Sequence, residues 1–402
     1  MQRTILGLLA AMWLSSAAQA AYFAYVPAID SDGNAATEDL LVVDGVYASR
    51  VTQVDIPGGT TSYTVSEDGE RVFLANDDGI SILDATQNRV VTTIPVSGSP
   101  QVGRIKAQRV ATDRERLYLS TDAGLIILEG DPSKLDYQRI SPVDGLANAG
   151  TGLALSPDGQ RLLLSGGQGV AWVNPLNGEH VASLDVGERA GQVLFHPQDA
   201  TRAYLLLPES ARLASLSLQG DTIELRDHFA LSSTADPRNL VAAPDGTLYI
   251  ADRGSFTQGG ASGAVLRIDL DTEGLPQAIA VIDVTGSLGE LGFNGVPPHF
   301  PLDLALSPDG SRLFVIQSVW GVQQGGGLYL SIFENGGGSW NELGRVAVGV
   351  SLYAVGDLVG PECAACPRGY QPREPESYTR PAALSPWLLI AFLPLVRRRR
   401  TG

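Results

Sequence analysis

Six segments of the chain read as a short strand, a tight turn and a second strand. The residue six places before each turn is the first place to look for chemistry. Counting back from Asp68, Asp113, Asp158, Gln198, Asp245 and Asp309 gives Ser62, Ala107, Gly152, Gln192, Asn239 and Asp303. The last three place two amides and a carboxylate at equivalent points of successive units. Such a set can line a binding mouth. Through Asn239 and Asp303 it can also hold Ca²⁺, which takes oxygen ligands. It is equally what a solvated polar lining looks like. Near these residues in sequence lie Asp252, Arg253, His299 and Trp320. The guanidinium of Arg253 can orient an anion bidentately, or pair with Asp252 or Asp303. His299, between Pro298 and Phe300, can act as a general base or anchor its loop. His180, His196 and His228 show no ligand spacing and read as structural. The chain has no Gly-x-Ser-x-Gly elbow, no His-Glu-x-x-His and no Gly-rich phosphate loop, so nothing else marks an enzyme.

The elements that must position these residues repeat along the chain. YTVSEDGERVFLAND (63–77), LALSPDGQRLLLSGG (153–167), LVAAPDGTLYIADRG (240–254) and LALSPDGSRLFVIQS (304–318) are clear copies, and 110–122 and 193–208 are degenerate ones. Asp-Gly supplies the positive φ of a hairpin turn between β-rich runs. The second strands start at Val72, Leu117, Leu162, Ala203, Leu248 and Leu313. Most of these intervals are about 41 to 45 residues, the period of a four-stranded propeller blade. Two further strands fit in each period, as in 79–86 with 89–96 and 170–176 with 180–186. Residues 21–28 match the second strand of a blade without a first strand before them. Their later strands follow at 39–44 and 51–56, and an unaccompanied strand lies at 352–358. The expectation is an all-β, seven-bladed β-propeller of four-stranded blades, closed by three N-terminal strands and one C-terminal strand. Closure of this kind removes open sheet edges.

Three connections are long: 252–262, 283–301 and 318–327. In a propeller they belong to the face where the inner strands start, and they should meet over one sector of the mouth. Gly makes them pliable, and Phe256, Phe293, Phe300 and Trp320 give them apolar weight. Long loops on a rigid ring are the usual place for binding residues.

The chain of 402 residues carries a formal charge of −16, with 44% hydrophobic and 18% charged residues. It is too apolar for a disordered protein, and its 46 Gly and 24 Pro argue for many turns. The tail from residue 361 holds seven Arg and three Glu, so the body is more acidic than the whole. A body of that sign repels phosphate backbones, and no nucleic-acid partner is expected.

Both ends read as addresses. Residues 1–20 have a cation at Arg3, an apolar stretch from Ile5 to Leu14 and the small-residue site Ala18-Gln19-Ala20, the layout of a secretory signal peptide. The body is then 21–360. Residues 361–381 form a Pro- and Arg-rich linker containing Cys363-Ala-Ala-Cys366, which reads as a local disulfide or a processing site. Residues 382–402 hold a short apolar stretch, 382–396, followed by Arg397–Arg400, a pattern that stops translocation at a membrane. This tail resembles bacterial C-terminal sorting tails, and 381–387 (PAALSPW) is similar to their Ile-Pro-Thr-Leu-Ser-x-Trp motif. The resemblance implies a sorting enzyme as partner. It also implies residence in the periplasm or envelope, anchored at the inner membrane or processed to the cell surface.

The stretch ISILDATQNRVVTTIPVSGSP (80–100), with the Pro-Asp-Gly turns, resembles the YVTN repeat of surface-layer and YncE-like propellers. That family includes binding and surface proteins, and a related superfamily contains lactonases. Calcium-dependent lactonase propellers use a cluster of Asn and acidic side chains comparable to Asn239 and Asp303, although Pro237-Arg238-Asn239 stands where they have Pro-Asn-Gly. The leading expectation is an exported binding propeller without a cofactor. It would recognise an envelope or extracellular protein or glycan through residues 252–327. The alternative is a Ca²⁺-assisted, lactonase-like hydrolase at the same mouth. Fold alone does not decide between them.

Overall fold

The computed structural model describes residues 23–28, 39–57, 60, 62–76, 78–96, 102–121, 124–143, 151–232, 235–254, 263–286, 299–319 and 327–349. The signal segment, residues 352–358, Cys363, Cys366 and the apolar tail lie outside these residues. So do Phe256, Phe293, Trp320 and most of the three long connections.

The described residues form antiparallel sheets and no α-helix. Blade 1 is β1 (Phe23–Ala28), β2 (Asp39–Asp44) and β3 (Ser49–Asp55). Blade 2 is β4 (Ser62–Val65), β5 (Arg71–Asn76), β6 (Gly79–Asp84) and β7 (Arg89–Ile94). Blade 3 is β8 (Val102–Ala111), β9 (Arg114–Thr121), β10 (Gly124–Asp131) and β11 (Asp136–Val143). Blade 4 is β12 (Gly152–Leu155), β13 (Leu162–Gly166), β14 (Gly169–Val173) and β15 (His180–Asp185). Blade 5 is β16 (Val193–His196), β17 (Asp199–Leu207), β18 (Arg212–Gln219) and β19 (Thr222–Ala230). Blade 6 is β20 (Pro237–Ala242), β21 (Leu248–Asp252), β22 (Ala264–Leu270) and β23 (Pro276–Ile282). Blade 7 is β24 (His299–Leu306), β25 (Arg312–Val319), β26 (Gly327–Asn335) and β27 (Trp340–Gly349). Each sheet pairs its strands in chain order. The fold is a seven-bladed β-propeller. Blade 1 shows three strands among the described residues, and the strand expected at 352–358 lies outside them.

The repeated turns follow from local chemistry. In Ser-x-Asp-Gly, the Ser66 hydroxyl donates to Asp68 at 2.5 Å and accepts the N–H of Arg71 at 3.0 Å, while Gly69 takes a φ of 69°. Ser156 and Ser307 repeat the arrangement with Asp158 and Asp309. At the turn between the last two strands of six blades a carboxylate or amide accepts the N–H two residues on. Asp44, Asp84, Asp131, Asn174, Asp271 and Asn335 all do this. Such Asx turns mimic a backbone turn. They give the Asp84-to-Asn88 part of the repeat a structural reading, since Asn88 closes its turn at a φ of 49°. Blade 5 uses Gly220 instead.

The core lies between blades. Seven apolar clusters occupy the seven interfaces. One of them joins the last blade to the first: Ala24, Val26, Leu41 and Val43 pack against Phe314, Ile316, Leu330 and Ile332. Burying a side chain of this size stabilises by about 1.5–3 kcal/mol. The ring is therefore closed by side-chain packing as well as by any strand exchange.

Candidate functional site

Each inner strand reaches the channel layer at one residue, fixed by its pairing with the strand behind it. Ser62 pairs with Ala75, Gly152 with Ser165, Asn239 with Ala251 and Asp303 with Ile316. Gln192 holds the same place opposite Leu206, whose N–H donates to the Gln192 carbonyl at 2.9 Å. In blade 3 the residue in this register is Arg104, opposite Ser120. Ala107, expected there, lies three residues further along β8. The reason is length: β8 runs ten residues into a tight turn, so counting back from Asp113 stops short.

Three of these residues follow a break in strand register. The pairing slips between Val102 and Arg104, between Pro237 and Asn239, and between Pro301 and Asp303. One extra residue stands before each: Gly103, Arg238 and Leu302. A β-bulge bends the strand and re-aims the side chain beside it. Here the bulges fall in the three blades whose layer residue is charged or is paired with a charge.

Arg104 makes no ion pair among the described residues. It lines a cavity of about 750 Å³ with Lys106, Ser62, Glu67, Gln192 and Asn239. On the far side Asn239 donates its Nδ2 amide to Asp303 Oδ1, joining blades 6 and 7. The backbone N–H of Leu304 donates to the same oxygen at 2.8 Å. Asn239 is 4% and Asp303 5% exposed, and Asn239 Oδ1 is buried with no hydrogen-bond partner among the described residues. Gln192 reaches across to blade 6, where its Oε1 accepts the N–H of Leu240 at 2.8 Å. Two cations from blade 3 thus share this cavity with Asn239 of blade 6, whose amide is bound to the buried Asp303 of blade 7. In a ring of seven, three blade steps is the largest separation possible.

The other candidates are placed elsewhere. Arg253 pairs with Asp236, through Nε at 2.7 Å and a terminal nitrogen at 2.5 Å, rather than with Asp252 or Asp303 as the sequence suggested. Asp252 accepts the N–H groups of Asp236 at 2.7 Å and Gly254 at 2.9 Å, so it holds the entry to blade 6. His299 is not in a loop: it opens β24, is 5% exposed and sits within electrostatic reach of Asp283. Phe300 is core, 2% exposed. The structure therefore brings together Gln192, Asn239 and Asp303, and keeps Asp252, Arg253 and His299 in structural contacts at the blade ends. Sequence reasoning missed Arg104 and Lys106. Their signal, alternation along β8, could be used only once the register of blade 3 was known.

The donor set does not suit Ca²⁺, which takes six to eight oxygens, several of them usually carboxylate. Only Asp303 offers a carboxylate at the Asn239 contact, and its Oδ1 already has two donors. No group of three His, Cys, Asp or Glu side chains able to hold a metal occurs among the described residues. Two cations also share the cavity.

No family model matches the chain, and no curated protein matches it in sequence. Solved structures share the fold. A provisionally named 6-phosphogluconolactonase of Bacteroides fragilis superposes with a TM-score of 0.61 at 13% identity, covering 86% of this chain and 98% of that one. A similarly named protein of Bacteroides uniformis gives 0.56 at 13% identity, covering 83% and 98%. The hydrazine synthase of Kuenenia stuttgartiensis gives 0.52 at 15% identity, covering 69% and 77%. At these identities the likeness is one of architecture, and unrelated chemistries share it.

Proposed function

We propose that this chain is an exported, envelope-associated binding propeller that takes an acidic, hydroxyl-rich sugar unit, free or within a glycan, at the mouth of its channel. One observation carries the reading: Arg104 and Lys106 line a single cavity with Gln192 and Asn239, and the amide of Asn239 is held by the buried Asp303. A guanidinium and an ammonium match a ligand carboxylate, while amides and a carboxylate accept and donate to hydroxyls. Aldonic and uronic acids carry both groups on one small frame. Residues 252–327 complete the proposed surface. The leader-like segment 1–20 and the tail 382–402 support export and membrane association, with a sorting enzyme as a further partner. Calorimetry with galacturonate and gluconate against galactose and glucose tests the binding. Heat from the acids alone, lost in Arg104→Ala, is the expected result, whereas equal response to neutral sugars would overturn the reading.

A second reading is a lactonase-like hydrolase, favoured by two fold neighbours bearing a lactonase name and by the carboxylate of Asp303. Hydrolysis of aldonic lactones that Asp303→Asn abolishes would promote it.

A further inference from the structure

The outer strands of the propeller blades are sheet edges, and proteins blunt such edges with charge. The described outer strands do so with one exception. β3 carries Arg50 and Asp55, β7 Arg89, β11 Asp136 and Arg139, β15 Asp185, β19 Glu224, Arg226 and Asp227, and β27 Glu342 and Arg345. β23 (PQAIAVI) carries none. Its five central residues, 277–281, are all exposed, with Ile279 at 40% and Val281 at 70%. No other strand contributes two of the exposed large hydrophobic residues found among the described residues. Among the described residues β23 hydrogen-bonds to β22 alone, so its other edge offers a row of backbone donors and acceptors that none of them pairs with.

We propose that β23 pairs antiparallel with β23 of a second copy of this chain across a two-fold axis at Ala280. The argument for a second copy is charge and register together. Two chains of formal charge −16 repel, and self-association needs a contact strand free of like charges. β23 is that strand. Centred on Ala280, the register sets Ile279 opposite Val281 twice on one sheet face, and Ala278 opposite Ile282. An isologous contact requires such self-complementarity. Asp283, just past the strand, then meets Gln277 of the other copy rather than an acid. Its Oδ1 is already capped by the N–H and hydroxyl of Thr285, at 2.8 and 2.6 Å. Backbone pairing supplies the affinity and the apolar pairs fix the register.

The test uses the full chain with Cys363→Ser and Cys366→Ser, so that an introduced thiol is the only one. Residues at the two-fold are the only ones that meet themselves. Ala280→Cys is therefore expected to crosslink as a dimer on oxidation or with a short bis-maleimide, while Ala278→Cys does not. Ile279→Lys, at an exposed position, is expected to abolish the crosslink with the thermal melt unchanged. Equal crosslinking at 278 and 280, no dimer at either, or a dimer that survives Ile279→Lys would overturn the pairing.

Discussion

Arg104 and Asp303 occupy equivalent positions on inner strands three blade steps apart, and Asn239, which lines the cavity with Arg104, donates its amide to the buried Asp303. An acidic sugar that bridges Arg104 and Asn239 must lose affinity when either is removed. Charge-assisted hydrogen bonds contribute about 1.5–3 kcal/mol, roughly a 10- to 100-fold change in Kd. Arg104→Ala is expected to weaken uronate binding by that factor and to leave the residual response to neutral sugars unchanged. Asp303→Asn should weaken both, because Asp303 holds the Asn239 amide that meets the hydroxyls. Calorimetric titration of each variant with matched acidic and neutral sugars separates the two effects.

Calcium offers a sharp contrast. With Asp303 Oδ1 already accepting two hydrogen bonds and two cations lining the cavity beside Glu67, the channel should show no saturable Ca²⁺ heat after chelation. A stoichiometric site that disappears in Asp303→Asn would reverse the assignment and favour the hydrolase.

Acid stability should be governed at the boundary between blades 2 and 3. Glu115 is fully buried, and burial pushes its pKa up against the pull of the Tyr137 hydroxyl at 2.6 Å and of Arg71. A raised carboxylate contributes stability below its unfolded pKa, about 4.3, and loses it as pH rises through the folded value. Burial also pushes Asp68 up. The hydrogen bonds from Ser66 and the Glu70 N–H, with the charges of Arg71 and Arg109, outweigh burial and hold Asp68 below the usual range. Its contribution is present above its unfolded pKa, about 3.9, and is lost as pH falls. Melting curves across this range should show Glu115→Gln gaining on the parent as pH rises. Asp68→Asn should lose ground over the same rise. Parallel curves for the two variants would refute the assignment.

The architecture was legible because its determinants are local. Asp-Gly turns, a period near that of a blade and β-rich runs each report on a few neighbouring residues, and the strand at 39–44 and the start of the strand at 79 follow from them. The site was legible only where the local ruler held. Counting back from the turn finds Asn239 and Asp303, since blades 6 and 7 keep the same spacing from bulge to turn. It fails in blade 3, where a longer hairpin shifts the register and hides Arg104. The partner of Arg253 was hidden for a different reason. Asp236 and Asp252 are both near in sequence, and only the bend into β20 decides which carboxylate reaches the guanidinium.

The bulges suggest a last experiment, on geometry rather than chemistry. Arg238 is the extra residue between Pro237 and Asn239, and its side chain is 42% exposed with an ion pair to Asp236. Exposed pairs of this kind contribute about 0–1 kcal/mol, so losing the side chain alone costs little. Deleting the residue is different. It lets Pro237 and Asn239 pair continuously with β21, removing the local twist that aims Asn239 at Asp303. Arg238→Ala should therefore match the parent in both melt and binding. Deletion of Arg238 should keep the β-sheet circular dichroism and a cooperative melt, because the apolar clusters on either side of blade 6 are untouched. Uronate binding should nonetheless fall as far as in Asp303→Asn. If the deletion binds as the parent does, the bulge is a packing feature of blade 6 and the aim of Asn239 is set elsewhere.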